Sequence, residues 1–471
     1  MLIGRIKEQE ELNNAYRAPE SKFVVVYGRR RVGKTYLVRQ TFKDKFTFSH
    51  SGLAKAPLSE QLFGWSASLK DAGMAVNLLP KSWLEAFELL KDLIRQSKER
   101  KKVIFIDELP WLDTPRSRFV NALEFFWNGW ASGRDDVLLI VCGSATSWIV
   151  NKIFKNHGGL HNRVTNQIFL KPFTLNECEK YVHSMGLNFT RYDILDGYMV
   201  MGGIPYYWSL LQKGESMAQN IDRLFFADSG KLRFEFGELY DSLFRDPSRY
   251  VSIIKILGQY TTGLTRNEIV NKTKIENGGG LSRMLDDLQH CGFIQYINEI
   301  PRKKNGGIYK LIDNFTLFYF KFMSENKVND EMFWSNNYNT SLRLSWMGLA
   351  FERVCFQHVR QIKDALRIGG VMASVYSMRI SGKSGRGAQI DMLIDRADNT
   401  VNLCEMKFSK KEFLIDKEYS HILQNKIERF QELTNYKKTI LLTMITTHGI
   451  EHNGYWSMVQ NEVTGDDLFK E

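Results

Sequence analysis

Residues 28 to 35 read Gly-Arg-Arg-Arg-Val-Gly-Lys-Thr and follow directly on the apolar run Phe23-Val24-Val25-Val26. This octet constrains the fold more than any other feature of the chain. Gly28 and Gly33 let the backbone curl so that the N–H groups of Arg29, Arg30, Arg31, Val32 and Gly33 can face phosphate oxygens. Lys34 then reaches the outer phosphates, and the Thr35 hydroxyl takes a place on Mg²⁺. The strand before the loop and the helix after it (Tyr36 to Phe42) supply the setting such a loop requires. A plain strand-to-helix turn would give no reason for the Lys-Thr pair. The expected ligands are therefore ATP and Mg²⁺, with Tyr36 among the flanking contacts.

Residues 103 to 108, Val-Ile-Phe-Ile-Asp-Glu, are an apolar run ending in two carboxylates, as a buried parallel strand presents at its C-terminal edge. Asp107 is the expected magnesium residue, and Glu108 the group that polarises the attacking water. A third apolar strand, residues 137 to 142, ends in Gly143-Ser144. Ser144 is expected between the two catalytic strands as a γ-phosphate sensor. Arg163 is a candidate arginine for transition-state charge, acting in its own subunit or offered to a neighbour.

The segment Ile3-Gly4-Arg5-x-x-Glu8-x-x-x-Leu12, together with the phosphate loop, the Ile106-Asp107-Glu108 strand with Trp111 after it and the Cys142-Gly143-Ser144 strand end, resembles the archaeal-type ATPases, a branch of the AAA-like and STAND P-loop proteins. Gly202-Gly203-Ile204-Pro205 is similar to a turn in that group's helical lid. The resemblance implies that Gly4 and Arg5 lie near the adenine. It also implies an α/β P-loop core over 1–170 and a helical lid over 171–240.

Residues 250 to 300 carry helical spacing in three short stretches, followed by a strand pair around Pro301 to Gly307. Helix, helix, helix, hairpin is the order of a winged helix-turn-helix, expected over 241–312. Residues 245 to 310 hold 11 Lys and Arg against 6 Asp and Glu. The helix and the basic wing are candidates for contact with double-stranded DNA phosphates, against the alternative of a spacer between protein surfaces.

In the remainder, 313–471, Gln389 to Ile394 and Val401 to Lys407 read as a hairpin. It would set Asp391 opposite Glu405, with Lys407 on the face of Glu405. Two carboxylates can share Mg²⁺ while the lysine orients a water for attack on a phosphodiester. This arrangement resembles the PD-(D/E)XK nucleases, which implies Glu352, in a helix upstream, as a further metal carboxylate. Gln389-Ile390 replaces the proline of that motif. Arg379, Lys383, Arg386, Lys410 and Lys411 would approach the nucleic-acid backbone.

The net charge of +11 permits an anionic partner without specifying one. No apolar run reaches the ~18–20 residues of a membrane helix. Five scattered cysteines and an opening rich in Arg5, Lys7, Glu8 and Glu10 point to a reduced, cytoplasmic protein without a membrane partner. Three functions fit these residues: an ATPase with a nuclease-like tail, an ATP-dependent switch with an inert tail binding DNA or protein, and an assembly ATPase whose partner is a protein or a second copy of the chain.

Overall fold

The computed structural model describes residues 2–144, 146–155, 159–160, 162–244, 246–298, 307–324, 330–380, 388–434 and 437–471. The chain divides into two compact units, 1–172 and 173–471.

In the first unit the apolar runs form strands buried on both faces. They are β1 (Lys22–Tyr27), β2 (Phe46–Ser51), β3 (Lys102–Asp107), β4 (Val137–Gly143) and β5 (Asn166–Phe169). They pair in parallel in the order β2-β3-β4-β1-β5. All seven residues of β4 are buried, as a central strand requires. Helices α1 (Ile6–Arg17), α2 (Lys34–Phe42), α3 (Leu58–Asp71), α4 (Trp83–Gln96) and α5 (Phe119–Gly129) belong to the same unit. Trp65, Trp83, Phe87, Phe119 and Phe126 interlock into one apolar core with β2, β3 and β4. Strands β1 and β3 are thus held apart by β4. The C-terminal edge of the parallel sheet becomes the place where their loops meet.

The second unit opens with helices. One of them, α6 (Arg191–Met201), is started by a Thr190 capping box and stopped at Gly202, whose φ is 61°. Gly203 has a different constraint, because a Cβ there would sit 1.8 Å from the Phe173 carbonyl oxygen. Three further helices follow, α7 (Pro247–Gln259), α8 (Arg266–Thr273) and α9 (Gly279–His290). With them goes a three-stranded sheet of order β6-β8-β7, made of Leu264–Thr265 (β6), Ile294–Asn298 (β7) and Gly307–Leu311 (β8). The tip of the expected wing, 299–306, lies outside the described residues.

A long helix, α10 (Ser341–Gln357), precedes a second five-stranded sheet of order β13-β12-β11-β10-β9. Strands β9 (Ala373–Ile380), β10 (Ala388–Arg396) and β11 (Thr400–Lys407) are antiparallel neighbours. Helix α11 (Lys417–Thr434) then carries the chain across to β12 (Thr439–Thr446), which lies parallel to β11. Strand β13 (Asn461–Thr464) closes the edge. The basic loop with Lys383 and Arg386 and the side chain of Arg379 lie outside the described residues. Among the described residues no helix is long and apolar enough to cross a membrane, and all five cysteines are buried free thiols.

Candidate functional site

The phosphate loop leaves β1 at Gly28 and enters α2 at Lys34. Gly28 has φ 143°, and a Cβ there would stand 2.4 Å from the Leu170 carbonyl oxygen. Gly33, with φ 92°, ends the loop in a backbone state that favours glycine. Arg31 also has a positive φ, 70°, so the turn is held open along its length. Arg29 and Val32 are buried, Arg30 and Arg31 half-buried, and Tyr36 is exposed in the first turn of α2. Lys34 is buried, and its ammonium donates to the carbonyls of Gly28 and Arg29 at 2.9 Å each. That folds the lysine back over its own loop.

Strand β3 delivers the acids. The Thr35 hydroxyl donates to Asp107 Oδ2 at 2.7 Å, and the Glu108 N–H donates to Oδ1 at 2.9 Å. Burial pushes the Asp107 carboxyl above its ordinary range, an effect opposed by the Thr35 hydrogen bond. Glu108 takes a left-handed backbone with φ 46°, which turns its side chain off the strand. Its Oε2 accepts from the Ser144 hydroxyl at 2.9 Å and from the Ser144 N–H at 3.4 Å. Gly143 pairs with Tyr27, so Ser144 stands beside Gly28 at the sheet's edge. A Cβ on Gly143 would press within 2.8 Å of Pro110 and Ile149, so only glycine lets the loop after β3 close over the tip of β4.

Lys34, Thr35, Asp107, Glu108 and Ser144 therefore gather at one edge. Residues 2–211 match the model of a family described as an ATPase domain predominantly from Archaea. Over this segment the chain is similar to the archaeal-type P-loop ATPase domains. An uncharacterized protein of Methanocaldococcus jannaschii is 22% identical over 427 residues, 87% of this chain and 88% of its own length. A Walker-type ATPase of Pyrococcus abyssi superposes with a TM-score of 0.50 at 18% identity, over 68% of this chain and 96% of that one, a likeness of fold. The Aeropyrum pernix ORC2 protein, solved in ADPNP and ADP complexes, aligns with a TM-score of 0.42 at 14% identity, over 68% of this chain and 93% of its own.

Gly4, Arg5 and Arg163 stand apart from these five residues. Arg5, φ 59°, is buried and donates to the Lys171 carbonyl at 2.7 Å, next to the Leu170 carbonyl that crowds Gly28. Gly4, φ 64°, precedes it, so both flank the strand end beside the phosphate loop. Arg163 does not join the site within its own chain. It is exposed and precedes β5, whose Asn166 aligns with Val24 near the start of β1, whereas the phosphate loop follows the end of β1. In a parallel sheet those are opposite edges.

The second unit has its own acidic cluster. Met392 pairs with Cys404, so Asp391 and Glu405 meet just beyond the last regular pair, beside a shift in register between Ile390 and Leu393. The Met406 N–H donates to Asp391 Oδ2 at 3.2 Å. Lys407 reaches Glu405 Oε1 at 3.1 Å, as strand alternation requires. Two partners come from α11 and were not among the expected site residues. Lys426 contacts Glu405 Oε2 at 2.5 Å, and the Tyr419 hydroxyl donates to Oε1 at 2.5 Å. Their spacing of seven places them on one face of the helix, two turns apart.

Burial opposes the charge on Glu405, but Lys426 and Lys407 outweigh it and hold the carboxyl below its usual range. Asp391 is pushed up to about 6 by burial and by Glu405. Glu352, on α10, is pushed up to about 7 by burial and by Asp391. The expected metal carboxylates here are Glu352, Asp391 and Glu405. Among the described residues no group of three or more His, Cys, Asp or Glu side chains is arranged to hold a metal ion. Both oxygens of Glu405 already accept from ammonium and phenol donors.

Proposed function

We propose that the chain hydrolyses ATP at the edge of the first sheet. The observation that carries this reading is the meeting of the phosphate-loop threonine with Asp107 and of Glu108 with Ser144. Lys34 would turn from its two carbonyls to the outer phosphates, exchanging neutral acceptors for a charged one. Thr35 and Asp107 offer oxygens suited to Mg²⁺, which when bound would neutralise charge developing on the phosphates. Glu108 would accept a proton from, or orient, the attacking water once Ser144 releases it.

The second unit we read as the part that hydrolysis serves. Three short helices and a β6-β8-β7 sheet support a winged-helix module binding duplex DNA. The solvent face of α9 offers Arg283, a cation able to meet a phosphate, although the exposed Asp286 beside it opposes that contact. The helix, three antiparallel strands, crossover helix and parallel strand that end the chain support a nuclease-like core, with Asp391, Glu405 and Lys407 at its site. The full engagement of Glu405 favours a second reading, a switch whose tail binds DNA or protein without cutting. The magnesium residues there and the role of Arg163 toward a second subunit belong to this proposal.

Phosphate release from ATP and Mg²⁺, with and without supercoiled plasmid, tests both readings. Lys34→Ala and Glu108→Gln are each expected to lower turnover by about 100-fold or more, Glu108→Gln with nucleotide still bound. Undiminished turnover in either variant overturns the ATPase site. Plasmid nicking lost in Lys407→Ala supports the nuclease-like tail, and plasmid binding without nicking supports the switch.

A further inference from the structure

The carboxylates of the C-terminal cluster already have their cations. Glu405 is 1% exposed, and neither of its oxygens lacks a donor. The Lys426 side chain is itself only 12% exposed, and its charge acts on Asp391 as well as on Glu405. It therefore stands where its charge serves both acids. Asp391 and Glu405 bring two negative charges, and Lys407 and Lys426 bring two positive ones. A divalent ion seeking Glu405 would first have to displace the Lys426 ammonium from Oε2 and the Tyr419 hydroxyl from Oε1, and it would meet both lysine charges at close range. Nor can an ammonium serve as a ligand, because it has donors and no lone pair.

We propose that Lys426 is a built-in cation that keeps this cluster closed to divalent metals, and that a metal enters only when α11 draws the lysine away. The inference rests on reading the cluster as a nuclease-like site, and it adds a residue that controls whether that site is loaded. Lys407 comes from the strand that carries Glu405 and moves with it. Lys426 comes from the crossover helix, so a small shift of that helix changes the charge of the cluster by one unit while the sheet stays intact. Without Lys426 the cluster loses one positive charge and Glu405 Oε2 loses its ammonium partner, a change that favours a hard cation.

Mn²⁺ is the probe, with free ion counted by electron paramagnetic resonance in the nucleotide-free full chain. An Asp107→Asn substitution throughout silences the phosphate-loop site. In that background Lys426→Met is expected to bind one Mn²⁺ at least tenfold tighter than the chain retaining Lys426, and adding Asp391→Asn is expected to remove the gain. Lys426→Gln, which keeps a donor to Glu405, carries the same test if the methionine variant does not fold. If the chain retaining Lys426 binds Mn²⁺ just as tightly and loses it with Asp391→Asn, the closing role is overturned while the nuclease-like reading survives. If neither binds, the cluster is no cation seat and both fall together. A gain that persists with Asp391→Asn places the metal elsewhere and also overturns the proposal.

Discussion

The two acidic sites of this chain hold their carboxylates in opposite ways. Asp107 and Glu108 are held by neutral donors: a threonine hydroxyl, a serine hydroxyl and backbone N–H groups. Glu405 is held by two ammonium groups and a phenol. Neutral donors satisfy lone pairs without cancelling charge, so the first site keeps its appetite for a cation. The second has satisfied that appetite from within the chain. Two buried acids brought together on a sheet thus do not by themselves announce a metal centre; what already touches them decides.

The largest effect that could break this contrast is on stability. Burial raises the Asp107 carboxyl above its ordinary range, so the folded state pays for its charge, and Asp107→Asn is expected to leave the nucleotide-free melting midpoint unchanged or higher. Glu405 lies below its ordinary range, so its charge contributes stability that is lost as pH falls through its folded value. Glu405→Gln strands two lysines and should cost about 3 kcal/mol. Equal losses in the two variants, measured by circular dichroism melts, would erase the distinction.

An intermediate effect sharpens it. Ser144→Ala frees Glu108 from its hydroxyl donor but leaves the P-loop intact. Turnover should change by about tenfold, the scale of one hydrogen bond to a charged group, with nucleotide affinity unaltered. A large loss of affinity instead would assign Ser144 to the phosphates and not to Glu108.

The smallest effect separates the units by acid. His50, buried on β2 with Nδ1 2.9 Å from the Ser68 hydroxyl, is pushed down to about 4 by burial. Its folded value lies below the unfolded one, so its contribution is whole above about pH 6.5 and fades as pH falls toward 4. His50→Gln should spare the first unit about 1 kcal/mol of acid destabilisation near pH 5.5. The acid loss that remains then belongs to carboxylates held below their ordinary range, Glu405 in the second unit and Asp136 in the first. An acid response identical to that of the unsubstituted chain would remove His50 from the account.

Features set by local spacing are legible in the sequence. The phosphate loop between β1 and α2 is one, and the Asp107-Glu108 strand end is another. So is the shared face of Glu405 and Lys407, since strand alternation is a property of neighbours. What escapes is set by packing between distant segments. Lys426 lies 21 residues from Glu405 in the chain, and only the docking of α11 on the sheet brings it there. The Tyr419-to-Lys426 interval of seven was its one available signal, and it says which helix face they share but not what that face meets. Arg163 is placed by strand order: its position follows from β5 running parallel to β1, which no local pattern reveals.

The carbonyls of Leu170 and Lys171 have a consequence of their own. One crowds the bare Cα of Gly28, and the next receives the guanidinium of Arg5. The curl of the loop thus lies close against the last residues of the first unit. A side chain at Gly28 would have to push the Leu170 backbone aside, so the start of the loop and the last residues of the first unit are shaped to each other.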